Sequence, residues 1–289
     1  MPFLLNLEKK YQNLAKNLKF LPKSPANKVG MGKLLHSVRC KELSELISDP
    51  DIKKAVQFYT KYHSEIGDTQ DVYKMMFTLY CIKQTQNLEG NIIELGSYKG
   101  GNAIMMGWFL KQINSNRKVF ACDTFAGILD DDEFVNNKIG KGLFSDTNFN
   151  FVLENIKKFK MDDNIELAKG KFQDQLDKKF QDSKFSLVFI DCNIYSSAKF
   201  AIEFTYPRLI NDGIMIFHCY GARKPGANNN DIINSVWGET MAVKDFLKNK
   251  IEEVKIDSIP YIQKGKKKPT IINPLPKNEF STYFEPSKA

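Results

Sequence analysis

The run Ile92-Ile93-Glu94-Leu95-Gly96-Ser97-Tyr98-Lys99-Gly100-Gly101 puts an acid near the end of an apolar stretch and a glycine-rich turn after it. Glycines let a ligand approach the backbone, and the helix start beyond them offers unpaired N–H donors. The spacing is GxxxGG, not the GxGxxG that seats a pyrophosphate. Glu94 also brings negative charge, which suits a ligand carrying ammonium and sulfonium charges better than one carrying phosphates. The same residues would also serve as a plain tight turn. A second acid closes the next apolar run, Phe120-Ala121-Cys122-Asp123-Thr124-Phe125-Ala126-Gly127. A carboxylate at such a point can accept the two hydrogen bonds that a ribose diol donates. Alone, Asp123 would also suit a helix N-cap. Together, Glu94 and Asp123 are spaced for one extended nucleoside-like ligand.

Acids placed in this way need a sheet to present them. After Gly90, short apolar and β-branched runs alternate with helix-length segments, the pattern of a parallel α/β sheet. Strands are predicted at 91–95, 119–122, 165–168, 186–190 and 214–217, with helices at 101–113, 148–160, 172–180, 196–210 and 239–250. Two further extended pieces, 252–259 and 270–272, flank a basic turn at 264–268. The fold class is therefore a doubly wound, Rossmann-like sheet of about seven strands over residues 89–289, the last strand antiparallel. Ligands are expected outside the carboxyl ends of its strands. Residues 1–88 read as a helical N-terminal extension or cap, whose segment 71–84 has the densest apolar face.

At this point the sequence resembles a class I methyltransferase using S-adenosylmethionine, and more narrowly the macrocin and mycinamicin O-methyltransferase (TylF-like) family. The resemblance covers roughly residues 90–247, with a weaker helical match from about Asp71. Beyond the two acidic turns it rests on Phe144-Ser145-Asp146-Thr147 and Gly170-Lys171-Phe172-Gln173-Asp174. Phe189-Ile190-Asp191-Cys192-Asn193-Ile194-Tyr195, Tyr206-Pro207-Arg208-Leu209 and the stretch 213–221 follow in the same order. The resemblance implies that Glu94, Gly96, Ser97, Tyr98, Gly100 and Gly101 hold the amino-acid part of the cofactor. Asp123, with Thr124 and Phe125, would take the ribose; Ser145 with Gly170, Lys171 and Phe172 would take the adenine side, and Asp191 would close the cofactor site. The implied activity is transfer of a methyl group to a hydroxyl of a small acceptor, a sugar or glycosylated metabolite.

The sequence departs from the family where the metal belongs. Members that need Mg²⁺ carry D-x-D on the fourth strand and two aspartates on the fifth. Here these become Asp191-Cys192-Asn193 and His218-Cys219. One carboxylate beside a thiol and an imidazole is a poor magnesium site, so no metal is assigned; a softer ion such as zinc is the minor alternative. Asn193 cannot act as a base. His218, whose side-chain type titrates near neutrality, is the predicted base, with Asp191 orienting it; a purely structural or acceptor-contacting His218 is the competing reading. The acceptor pocket is expected from His36, Arg39 and His63, from 128–141 and from the polar loop 222–238. Trp108 and Trp237 are assigned to packing.

Apolar residues at 42% and charged residues at 26% of 289 describe an ordinary globular chain. The net charge of +8 would by itself suggest nucleic acid. Its distribution argues otherwise. Residues 1–40 carry eight Lys or Arg against Glu8 alone, and residues 263–289 carry six against Glu279 and Glu285, which leaves the middle slightly acidic. A nucleic-acid or peptidyl methyltransferase and a non-catalytic S-adenosylmethionine-binding protein are the alternatives. The basic ends, Lys9 to Lys33 and Lys264 to Lys268, read most simply as solvated faces and a turn, with an anionic acceptor such as a nucleotide-linked sugar as the sharper alternative. No apolar run reaches the length of a membrane span, and neither a secretory leader nor a CxxC pair is evident, so the expectation is a cytoplasmic protein with reduced thiols. The helical N-terminus would suit a homodimer.

Overall fold

The computed structural model describes residues 49–67, 72–131, 140–220, 237–256 and 260–269. Two helices, α1 (Pro50–Ile66) and α2 (Val72–Gln84), precede β1 (Asn91–Leu95). Then come α3 (Gly101–Gln112), β2 (Val119–Asp123), α4 (Phe149–Lys158), β3 (Ile165–Lys169), α5 (Phe172–Phe180), β4 (Phe185–Ile190), α6 (Tyr195–Arg208) and β5 (Leu209–Phe217). The chain closes with α7 (Trp237–Leu247) and the short strands β6 (Lys255–Ile256) and β7 (Pro260–Gln263). The strand order is β3-β2-β1-β4-β5-β7-β6. β1 to β5 pair in parallel, and β7 runs antiparallel between β5 and the two-residue β6. Six strands of four residues or more therefore carry the sheet.

Period-two alternation divides the strand side chains between two apolar layers. Ile92, Val119, Ala121, Leu187, Phe189, Ile214 and Ile216 face α1 to α4, while Ile93, Leu95, Cys122, Val188, Ile190, Met215 and Phe217 face α5 to α7. Cover on both faces is why β4, Phe-Ser-Leu-Val-Phe-Ile, is buried at every position. α3 lies between the sheet and the α1–α2 pair, and nine of its twelve residues are buried. The first described helices thus share the core of the sheet domain. Trp108 stacks on Phe58 of α1 at 4.6 Å, as packing requires.

Polar ties fix α1 and α2 to this frame. Asp49 caps α1 by accepting the N–H groups of Asp51 and Ile52, and the Lys83 ammonium donates to Asp49 at 2.7 Å and to Asp51 at 2.9 Å. Arg117, 8% exposed, donates to the carbonyls of Ile82 and Thr85 and to the Ser186 hydroxyl. Burial lowers its pKa to about 10.

Two sequence expectations need correction. The helix predicted to Ile210 stops at Arg208, one residue after Pro207, which cannot supply a helical N–H. β5 then begins at Leu209 and absorbs Asn211-Asp212-Gly213, with Asp212 at φ 64°. In the tail, the extended piece expected over 252–259 is replaced by β6 (Lys255–Ile256) and by β7, which pairs with β5; the piece expected at 270–272 lies outside the described residues. Pro260, as the first residue of β7, interrupts no ladder bond that the strand needs.

Candidate active site

The sheet order reverses between β1 and β4, and the carboxyl ends of β1, β2 and β4 open onto a cleft of about 350 Å³. That is the position and size of a small-molecule site. Glu94 reaches it from β1 and is 1% exposed; Asn102, in the first turn of α3, donates to its Oε1 at 2.7 Å. The turn that follows is held tightly. Asp191 N–H donates to the Leu95 carbonyl at 2.8 Å, and Gly96 N–H to that of Cys122 at 2.9 Å. Gly96 has φ 97°, and a Cβ there would stand 2.1 Å from the Asp191 carbonyl oxygen, so only glycine fits.

Asp123 joins the turns after β1 and β2. Its Oδ2 accepts the Tyr98 N–H at 2.9 Å and its Oδ1 the Phe125 N–H at 2.8 Å. Among the described residues no helix begins until Phe149, so Asp123 is not a helix cap. Burial raises its pKa, although those N–H groups pull the other way. Residues 140–147 fold back over the same turn: Asp146 accepts the Tyr98 hydroxyl at 2.5 Å and the Lys99 ammonium at 2.6 Å. Phe144 thereby meets the Tyr98 ring edge-on at 5.5 Å.

Glu94, Gly96, Ser97, Tyr98, Gly101, Asp123 and Thr124 line one cleft with Gly170, Lys171 and Phe172. Three other expected cofactor residues stand outside that lining. Phe125 is 3% exposed and packs on Phe149, Ser145 is exposed, and Gly100 caps α3. Of the expected acceptor residues, Ile128, Leu129 and Asp130 reach the cleft, whereas His63 lies against Tyr59 on α1. His36, Arg39 and residues 132–139 and 221–236 lie outside the described residues.

Asp191 and His218 line the same cleft and meet there. The Asp191 Oδ1 and His218 Nδ1 atoms are 3.1 Å apart, and the Cys219 thiol donates to the same oxygen at 3.1 Å. Burial alone would raise the Asp191 carboxyl; the pull of His218, Cys219 and Lys74 leaves it below its ordinary value. The Cys219 thiol goes the opposite way, pushed well up by burial and by Asp191 and Glu239. It is a neutral S–H donor.

Two residues that the sequence did not single out complete this corner. Lys74 of α2 brings its ammonium to 3.3 Å from His218 Nε2 and 3.4 Å from the His218 carbonyl. Glu239 of α7 is fully buried; its Oε2 accepts the Cys192 N–H at 3.1 Å and its Oε1 the Cys219 N–H at 2.9 Å. It therefore ties the ends of β4 and β5 together. Burial first, and Asp191 second, push its pKa well up. The one sequence signal for Lys74 was a charge set among Met75, Met76 and Leu79; Glu239 gave none, because its partners lie on distant strand ends.

Asp191, His218 and Cys219 form the one group of three His, Cys, Asp or Glu donors within 4.8 Å among the described residues. A hard divalent cation wants six or more oxygen ligands. One carboxylate, one imidazole and one protonated thiol do not match it, and an ammonium already stands at the imidazole.

No curated protein matches the chain in sequence. No helix of the described residues is long and apolar enough to cross a membrane. Among solved structures, CalS11, a calicheamicin methyltransferase, aligns at 17% identity over 90% of this chain and 93% of its own, with a TM-score of 0.55. The O-methyltransferase NovP aligns at 18% identity over 66% and 79%, with a TM-score of 0.53. The SAH-bound Podospora anserina methyltransferase PaMTH1 aligns at 11% identity over 84% and 97%, with a TM-score of 0.51. Those likenesses establish the fold. The family model for macrocin-O-methyltransferase (TylF) matches residues 69–236, which takes in β1 to β5 and every cleft-lining acid described above. With more than half of its length under that match, the chain belongs to the macrocin-O-methyltransferase (TylF) family and is a methyltransferase.

Proposed function

We propose that the chain methylates a hydroxyl of a small acceptor, a sugar or glycosylated metabolite, using S-adenosylmethionine held in the cleft. The observation that carries this reading is a single cleft lined by Glu94, Asp123, Asp191 and His218 together. Glu94 matches the ammonium of the cofactor's amino-acid part, and Asp123 stands where the ribose diol would lie. Gly96, Ser97 and Tyr98 give the backbone approach between them. When bound, the cofactor supplies a methyl group already activated on a sulfonium, so the chain's tasks are alignment and proton removal.

His218 is suited to the second task. A carboxylate accepts only, so Asp191 fixes the proton on Nδ1; the Nε2 lone pair, which receives the Lys74 ammonium at 3.3 Å in the resting site, is the basic site once that N–H turns away. With cofactor and acceptor bound, Nε2 would take the proton that the acceptor hydroxyl gives up on methylation. The sugar reading draws on the family and on CalS11 and NovP as neighbours. The test begins with calorimetry of S-adenosylhomocysteine. The wild-type protein is expected to bind it, and Asp123→Ala to weaken binding about tenfold or more through loss of charge-assisted contacts. Labelled methyl transfer to a panel of free, glycosylated and nucleotide-linked sugars follows. Absence of S-adenosylhomocysteine binding would sink the reading, and transfer to RNA or peptide but to no sugar would replace the acceptor class.

A further inference from the structure

We propose that Lys74 is the fixed cation of this active site, standing in for the divalent metal that relatives with four carboxylates require, so that this chain binds no such metal there. The inference rests on the methyltransferase reading and concerns the same cleft. Its first support is charge balance. The metal-binding pattern places D-x-D on the fourth strand and two aspartates on the fifth, and here Asn193, His218 and Cys219 replace three of those four acids. One carboxylate, Asp191, is left, and one ammonium suffices to match it.

The second support is position. Lys74 comes from α2, outside the sheet, yet its Nζ lies 3.3 Å from His218 Nε2 and 3.4 Å from the His218 carbonyl. α2 is held in register for this by Phe77, whose ring meets Tyr261 of β7 at 5.2 Å, and by the Lys83 pairs with Asp49 and Asp51. The charged and titratable groups about the ammonium are Asp191 from β4, His218 and Cys219 from β5, and Glu239 from α7. An ammonium has three N–H groups. Two meet His218 in the resting site. The one on Nε2 has to leave that lone pair before Nε2 can take a proton, and it then turns to the acceptor oxygen, where the ammonium keeps its positive charge beside the developing alkoxide. A preorganised positive charge at a developing alkoxide is what a metal would otherwise contribute.

Metal binding tests this without any acceptor. The probe is Mn²⁺, followed by electron paramagnetic resonance on protein loaded with S-adenosylhomocysteine. Wild-type protein is expected to show no saturable binding at millimolar metal; stoichiometric binding would overturn the proposal. Asn193→Asp with Cys219→Asp restores two acids. The proposal expects this double variant to bind Mn²⁺ at least about tenfold more tightly once Lys74→Met is added, a gain of about 1.4 kcal/mol. An unchanged affinity would overturn it. Should those variants fail to fold, ¹⁵N spectra of His218 decide: Lys74→Met is expected to shift the Nε2 signal and Lys74→Arg to restore much of it. An Nε2 signal indifferent to Lys74 would refute the contact. Loss of S-adenosylhomocysteine binding by wild-type protein would instead refute the methyltransferase reading.

Discussion

His218 is gripped at both ring nitrogens, by Asp191 at Nδ1 and Lys74 at Nε2, and its ring leans on Phe189 at a centroid distance of 5.7 Å. A side chain so restrained has little rotamer entropy left to lose when an acceptor arrives, which favours an aligned base over a mobile one. His218→Ala is expected to lower turnover by about 10²–10⁴-fold while S-adenosylhomocysteine binds with wild-type affinity. Retention of more than about a tenth of the activity would leave His218 a structural role only. The sequence already offered His218 and Asp191, through the family resemblance and the departures from it on the fourth and fifth strands. Lys74 was hidden because its value lies in a contact across 144 positions of chain.

At the scale of elements, the site depends on β1, β4 and β5 ending at one level. Gly96→Ala would force a Cβ against the Asp191 carbonyl in a left-handed backbone. The expected cost is about 2–4 kcal/mol from overpacking and strain together, read as a lowered urea midpoint with loss of cofactor-analogue binding. Unchanged stability would show that β1 and β4 can separate there. Glu239 sets the level of β4 and β5 from α7. Its folded pKa is raised above the ordinary 4.5 by burial, so the native state holds that proton more firmly than the unfolded chain does. Its contribution is then fullest below pH 4.5 and falls as pH rises through the folded pKa. Glu239→Gln replaces one acceptor by a donor facing a backbone N–H, and is expected to cost about 1–3 kcal/mol near pH 5. That gap should narrow toward pH 9, because only the wild type pays for ionising a buried acid. Urea titrations at the two pH values check the trend; a gap that widens would reverse the assigned sign.

For the whole molecule, the +8 charge resides in the terminal segments; of the acids in the cleft Glu94 is buried and Asp123 and Asp191 are half-buried. Screening acts weakly on buried charge. S-adenosylhomocysteine affinity is expected to change by less than about threefold between low salt and ~0.5 M, measured by calorimetry. A steep decline would mean that surface lysines reach the ligand. The parallel sheet, its five βα repeats and the places of Glu94 and Asp123 were legible in the sequence because each follows from a local rule: period-two burial, a helix period, a turn glycine, an acid at a strand end; Asp191 and His218 were reached through the family resemblance. Neighbouring residues are enough to state such rules. The adjacency of β1 and β4, the seat of β7 between β5 and β6, and the arrival of Lys74 and Glu239 at one corner were decided by tertiary structure. Each of these joins groups far apart in the chain, and only the packing of helices on both faces of the sheet selects which of them meet.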